Sequence, residues 1–453
     1  MQTGSPFTAT AAVTAAPESP GALVPRVAEG VEALGEYQGS GYQEGRYLVY
    51  RADQQAVLLS PLLYLLLTQV DGHRDIATIA QRLSTAYDQP LDADGVRYLI
   101  EEKLEPLGLV LLRQPPTTPP RADPLLALTL RGVLLPTRAV QRIARLFAPL
   151  HLPPVVAAFI AAFVAMDGWM FGTGHADAAM RETVAEPGQT LAFILLMLAT
   201  IVFHEFGHAS GCHYGGARPG AIGVGLYLAF PCFYTNVTDA YRLNRGGRLR
   251  TDLGGVYFNA VFVVALGCCY LAVGYPPLLA AAMVGNFLIL QQLSPSLRLD
   301  GYYIMGDLVG VPNLFGQVRP ILRSLLPRKL RRDSHPVSIN LRPRVRWMVT
   351  AWVVTVVPFL MGSLILMLIR LPAYTSSVWH GSIRHWTAAV HAYQHHQILG
   401  AVLAGFSTLL LWLPWIGMAT IAVRTLRRLY RALVRLVDRR RTKIGATAGV
   451  TVA

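Results

Sequence analysis

Lysine is nearly absent from this chain. It occurs only at Lys103, Lys329 and Lys443, so the net charge of +14, from 40 basic and 26 acidic residues, is carried by arginine. A basic excess serves either nucleic acid or a membrane surface. Here the arginines flank apolar runs, which points to the membrane and away from nucleic acid. Cysteine is scarce as well: Cys212, Cys232, Cys268 and Cys269 are the full set, and none forms a CxxC pair. That argues against a disulfide framework and a thiolate metal site. Charged residues make up only 15% against 53% hydrophobic, with positive mean hydropathy, which excludes a disordered chain and argues against a purely soluble one. The N-terminus lacks the basic n-region and apolar core of a cleavable signal peptide, so the first span is expected to act as the targeting signal.

What is present falls into segments. Residues 1–30 are rich in Ala, Thr, Pro and Ser without periodicity, the composition of a disordered tail. Residues 31–114 have the pattern of a small α+β domain. Two strand-like runs at 46–51 and 55–59 flank Ala52-Asp53-Gln54. Ser60-Pro61 then opens a helix, Asp75 caps a second, and Asp92 or Asp94 starts a third. A closing strand is expected at 109–112, and the whole is a winged-helix-like unit. Residues 115–152 begin with the stiff Pro115-Pro116-Thr117-Thr118-Pro119-Pro120 linker. They continue into an amphipathic helix with Arg138, Arg142 and Arg145 between Val140, Ile143, Leu146 and Phe147, which suits either an anionic membrane surface or ordinary packing.

Six apolar runs follow, at 154–171, 190–211, 253–274, 277–293, 347–368 and 398–423, each long enough to cross a bilayer. Arginine alternates between the loops. Five arginines follow the second run and ten Arg or Lys residues separate the fourth from the fifth, whereas the loop after the first run holds only Arg181, the turn at 275–276 none, and the loop before the sixth only Arg370 and Arg384. This alternation predicts that both termini are cytoplasmic. The apolar stretch 221–234 is short and interrupted at Gly223, Gly225 and Pro231, which predicts a membrane-dipping loop or hairpin. The fold class is thus a polytopic α-helical membrane protein of about six spans with an N-terminal α+β winged-helix-like cytoplasmic domain. Its apolar core lies at 153–307, a basic cytoplasmic loop at 308–346, two further spans at 347–424 and a basic cytoplasmic tail at 425–453.

The second run ends in His204-Glu205-Phe206-Gly207-His208. HExxH on a helix puts two imidazoles one turn apart on one face, where both reach one zinc ion, with the Glu close enough to take a proton from a zinc-bound water. A chance HExxH in a chain of this composition arises roughly once in a hundred sequences. Ionisable residues at the end of a membrane helix are costly in lipid and point to function. A zinc hydrolase needs a third protein ligand. Asp300 lies just past the fourth run, after a helix break at Pro295, and the predicted topology brings it to the same side of the membrane as the histidines. The alternative for Asp300 is a capping carboxylate at a helix end. His213 leaves the motif face and reads as a loop residue. His380, His385, His391, His395 and His396 cluster in an expected external loop, where no fixed ligand spacing favours metal over a polar loop.

These motifs carry two resemblances. His204-Glu205-Phe206-Gly207-His208 with a distal Pro295-x-x-x-Leu299-Asp300-Gly301 resembles the site-2-protease family of intramembrane zinc peptidases, over roughly residues 154–307. The family pattern has Asn before the Pro, where this chain has Ser294. The resemblance implies one zinc ion on His204, His208 and Asp300, and Glu205 as general base. It also implies a Gly-x-x-x-Asn element, matched by Gly255 and Asn259, whose amide would contact substrate; an interhelical hydrogen bond is the other reading of Asn259. The N-terminal unit resembles the PqqD-like peptide-recognition domain, through its Leu59-Ser60-Pro61 helix entry, the Asp71-Gly72 turn and the Ile79-Ala80-x-x-Leu83 spacing. In that family a leader peptide adds to a sheet edge as a strand. The fusion is similar to the intramembrane proteases of daptide-type clusters. It implies a bacterial plasma-membrane protease that removes the leader from a ribosomally made precursor peptide, with the lipid bilayer and that peptide as partners. Two rival functions are regulated cleavage of a membrane-anchored signalling protein, and a non-proteolytic metal-binding transporter or immunity protein.

Overall fold

A computed structural model describes residues 24–51, 55–112, 129–227, 230–325 and 339–409, with scattered positions from 411 to 430. Most of the expected tail, the proline linker, part of the basic loop and the basic C-terminal tail lie outside the described residues. The chain divides into two units, one formed by residues 1–35 with 47–120, the other by 36–46 with 121–453.

The first unit opens with β1 (Arg26–Val27), β2 (Glu32–Glu36), β3 (Tyr47–Tyr50) and β4 (Ala56–Leu59). It continues with α1 (Pro61–Gln69), α2 (Ile76–Tyr87), α3 (Ala93–Leu99), a π turn over Ile100–Leu104, and β5 (Val110–Leu111). Strands β2, β3 and β4 form one sheet in that order, with β3 and β4 antiparallel, and β1 pairs antiparallel with β5. The helices start where capping chemistry places them. Ser60 Oγ accepts from the Leu63 amide, Asp75 from Thr78 at 2.9 Å and Asp92 from Gly95 at 2.8 Å. Each such cap contributes about 1 kcal/mol. Of the two expected starts for the third helix, Asp92 is the cap and Asp94 lies inside the first turn. The core is Val49, Leu59, Leu66, Ile79, Leu83, Val96, Ile100 and Leu104, all fully buried. Two differences from expectation stand out. Arg26 and Val27 fall within the predicted tail yet form a strand, because Val110 and Leu111 offer them a partner edge. Strand β2 has no alternating apolar pattern, and its place depends on pairing with β3.

The second unit is mainly helical. Strand β6 (Thr129–Leu135) leads to α4 (Thr137–Phe147), a 3-10 turn (Ala148–His151), α5 (Pro153–Gly172), α6 (His175–Ala185) and α7 (Pro187–Tyr214). The hairpin β7 (Ile222–Tyr227) and β8 (Phe230–Thr235) follows, then α8 (Arg245–Val273), α9 (Pro276–Leu293), α10 (Asp300–Val309), α11 (Phe315–Leu325) and α12 (Pro343–Gln394). A last apolar helix, α13, is described over Ile398–Leu409. Helices α5, α7, α8, α9 and α12 are long and apolar enough to cross a membrane. The protein is a polytopic helical membrane protein with an N-terminal α+β domain.

Expected runs one, two, four and five each fall within one of these helices, and the third overruns α8 only by its C-cap, Gly274. The sixth is described as α13, 12 residues, with the following positions only partly described. Helix α12 runs on past residue 368 to 52 residues, through Pro358 and Pro372. At 1.5 Å per residue that is about 78 Å, against about 30 Å of bilayer hydrocarbon. The stretch 221–234 is a hairpin, and its partner β6 makes it a three-stranded sheet in the order β6-β7-β8. Strand β6 lies in the segment expected to be linker and amphipathic helix. Its pairing is made with residues about 90 positions away, which no local pattern reveals.

Helices α7 and α8 cross closely because glycine faces glycine. A Cβ on Gly207 would overlap the carbonyl of Gly254, and one on Gly254 would overlap that of Gly207. Gly211 meets Arg250 and Thr251 one turn on. This is the small-residue crossing that lets membrane helices approach backbone to backbone. It brings the HExxH turn of α7 against α8.

Candidate metal centre

His204, Glu205 and His208 lie near the C-terminal end of α7, and the histidines and Glu205 are largely shielded from solvent. The two imidazoles face α8 at Gly255. A Cβ there would collide with Cε1 and Nε2 of His204 and with Nε2 of His208, so glycine is required for both rings to occupy this face. His208 Nδ1 lies 2.9 Å from the carbonyl oxygen of Thr251. A proton donated from Nδ1 to that carbonyl leaves the Nε2 lone pair free for a metal, which is the usual outer support of a ligating histidine.

Asp300 opens α10 after the Pro295 break. Trp352 of α12 donates to the Pro295 carbonyl at 3.1 Å and pins that turn. Gly301 is packed against the end of α9, where a Cβ would overlap the carbonyl of Leu293. The Asp300 carboxylate does not cap its own helix. It turns to the histidines instead, with Oδ2 at 3.2 Å from His204 Nε2 and Oδ1 at 3.5 Å from His208 Nε2. The two Nε2 atoms are 3.1 Å apart. Burial by itself would raise the Asp300 carboxyl pKa, but the neighbouring imidazoles outweigh it and hold the group below the usual carboxylate range.

These three separations test whether the donors fit a metal. Tetrahedral ligands at zinc bond lengths of about 2.0–2.1 Å stand about 3.3 Å from one another. The two Nε2 atoms at 3.1 Å and Asp300 Oδ2 at 3.2 Å from His204 Nε2 are close to that spacing, and the other carboxylate oxygen, Oδ1, lies 3.5 Å from His208 Nε2. No other group of three metal-ligating side chains comes together among the described residues. His213 lies in the last turn of α7, outside the cluster. The rings of His391 and His395 are 4.4 Å apart at the end of α12, without a third ligand.

Glu205 stands beside the donors. Its Oε2 accepts a 2.6 Å hydrogen bond from Thr235 Oγ1. Thr235 ends β8, opposite Ile222 of β7, so the edge strand of the small sheet terminates at the candidate base. Nothing in the sequence marked Thr235, because the contact depends on how the hairpin folds back onto α7. Asn259 lies one turn beyond Gly255 on α8. Its Nδ2 donates to Gln292 Oε1 of α9 at 2.7 Å, while its buried Oδ1 accepts nothing. The interhelical reading of Asn259 therefore describes its amide nitrogen. Ser294 caps the end of α9 and its Oγ is 2.8 Å from that of Ser296.

A relative is known for part of the chain. The "Putative peptide zinc metalloprotease protein YydH" of Bacillus subtilis (strain 168) is 26% identical over 117 residues, which cover 25% of this chain and 46% of that protein. The chain thus spans about half the length of the curated relative it matches. No family model matches the sequence, and no solved structure matches the fold.

Proposed function

We propose that the protein is a zinc-dependent membrane endopeptidase that removes the leader from a ribosomally made precursor peptide. One observation carries the reading: His204, His208 and Asp300 bring three ligand atoms within 4.8 Å of one another, with Glu205 next to His204 on the same helix. The resemblance to YydH over part of the chain supports a peptide substrate.

Three protein donors leave a fourth position open, the arrangement of a catalytic site. Zinc, when bound, acidifies a water and polarises the scissile carbonyl. Glu205 accepts the proton of that attacking water and delivers it to the leaving amine. The Thr235 hydroxyl orients the Glu205 carboxylate for this transfer. Strand β8, at the sheet edge, offers backbone groups to an extended substrate and leads it toward Glu205. Gly255 leaves room for both imidazoles beside α8, and the unpaired Asn259 Oδ1 lies one turn beyond it.

The N-terminal unit serves as a PqqD-like domain that captures the leader on its sheet edge, as in the daptide-type proteases. The protein sits in a bacterial plasma membrane, with the arginine-rich loops, both termini and the metal centre toward the cytoplasm. The test is cleavage of a leader-bearing precursor by purified protein in liposomes. Wild type cleaves it, and Glu205→Gln binds zinc without cleaving. Zinc-loaded wild type that leaves every leader-bearing peptide intact, yet cuts a membrane-anchored signalling segment, refutes leader removal.

A further inference from the structure

Between β2 and β3 the chain leaves the N-terminal sheet, and residues 36–46 join the membrane unit. This strap is anchored deeply. Tyr37 is 1% exposed, and its hydroxyl donates to Asp307 Oδ1 of α10 at 3.0 Å. Arg248 of α8 is also 1% exposed. Its guanidinium stacks on the Tyr37 ring at 4.3 Å, with Nε on Asp307 Oδ1 at 3.0 Å and Nη2 on the Gln38 carbonyl at 3.1 Å. Its Nη1 donates to the Leu243 carbonyl at 2.8 Å, so the buried cation has a partner in each direction. Further along, the Gly41 amide donates to the Gly310 carbonyl at 2.9 Å, and the Arg342 amide to the Gly41 carbonyl at 3.0 Å.

Both helices held by this strap carry parts of the metal centre. Asp307 and Asp300 share α10, two turns apart on the same face. On α8, Arg248 lies one turn before Thr251, whose carbonyl orients His208. None of these strap contacts touches the metal donors, and the proposed chemistry does not use them. A buried arginine-carboxylate pair is weak evidence for stability alone, since apolar replacements often do as well. Its use here is to fix one geometry.

We propose that the strap is a positioning element for the metal centre. Tyr37 and Arg248 clamp Asp307, fix α10 against α8, and so hold the Asp300 carboxylate and the His208 ring at ligand spacing. This inference rests on the metal reading above, and Tyr37 and Arg248 are positioning residues in it, not catalytic ones.

Linkage makes the test two-sided: whatever the strap contributes to zinc binding, zinc returns to strap docking. The full-length protein in detergent is used in metal-free and zinc-loaded forms. Zinc affinity is measured by chelator competition, and backbone exchange of residues 36–46 by hydrogen-deuterium mass spectrometry. In wild type, zinc slows strap exchange several-fold. Tyr37→Phe, which keeps the ring on Arg248 but removes the hydroxyl, weakens zinc binding about tenfold, in the range set by outer supports of metal ligands. A second variant reaches the strap without touching the clamp. In Gly41→Ala the Cβ overlaps the Val309 carbonyl and crowds Val345 and Val311, lifting the strap, and zinc binding weakens to a similar degree. Zinc affinities within twofold of wild type in both variants, with strap exchange indifferent to zinc, overturn the inference even if the variants melt at lower temperature. Absence of zinc from wild type overturns the metal reading and this inference together.

Discussion

Gly255→Ala is the most exacting test of the geometry at the α7–α8 contact. An alanine Cβ stands 2.5 Å from His208 Nε2 and 2.6 Å from His204 Nε2, and closer still to His204 Cε1. Ordinary van der Waals contact begins at 3.4 Å, so each ring must retreat by close to 1 Å or the helices must part. The helices have little freedom to part, since Gly207 and Gly254 are already backbone to backbone. Zinc bond lengths tolerate about 0.2 Å, so the retreating rings lose ligation. Disturbing an outer partner of a zinc ligand weakens binding 10–100-fold, and displacing the ligands themselves exceeds that. The expected loss is at least about 100-fold, or roughly 3 kcal/mol at 1.4 kcal/mol per tenfold. Chelator competition on detergent-purified protein reads it, with Gly168→Ala as control because its Cβ meets nothing within 4 Å. A folded, monodisperse Gly255→Ala protein whose zinc affinity is within threefold of wild type refutes the placement of the histidines.

Other outcomes follow from neighbouring contacts. Thr235→Val removes the hydrogen bond to Glu205, so peptide cleavage falls about tenfold, at the low end of a general-base contribution, while zinc content is unchanged and Thr235→Ser restores the rate. Gly207→Ala overpacks the α7–α8 crossing and costs about 1–3 kcal/mol, read as a lower thermal midpoint in detergent. His151, buried against Phe258 and 2.9 Å from Ser210 Oγ, has its pKa lowered to about 4 by burial, with Arg250 adding to the effect. Between that value and its ordinary 6.5 the unfolded chain binds the extra proton, so stability falls as pH drops from 6.5 toward 4. Thermal midpoints of wild type across that window show the slope, and His151→Gln flattens it.

The three candidate metal donors were legible for different reasons. HExxH is a local pattern, and helical geometry alone puts His204 and His208 on one face. Asp300 required a topology argument, because it lies more than 90 residues away and meets the histidines only through the crossing of α7, α8 and α9. Gly255 was visible through the family resemblance, and the structure gives its physical reason, the space the imidazoles occupy. Thr235, β6 and the strap were not legible. Thr235 reaches Glu205 through a hairpin whose sequence reads only as an interrupted apolar run. Tyr37-Gln38-Gly39-Ser40-Gly41-Tyr42 has the composition of an ordinary loop, and its burial depends on Arg248 and Asp307, more than 200 residues away. Helix α6 escaped notice because its alternation of Ala with Asp, Arg and Glu carries no apolar face comparable to the spans around it.

Metal analysis of the purified protein tests the central claim most directly. Wild type is expected to carry one zinc per chain, with X-ray absorption reporting nitrogen and oxygen neighbours at about 2.0–2.1 Å and no sulfur, and Asp300→Ala is expected to lose the metal while keeping its helical content. Wild-type protein that takes up no zinc at neutral pH, or an Asp300→Ala protein that binds it as tightly as wild type, contradicts the three-donor centre on which the account rests.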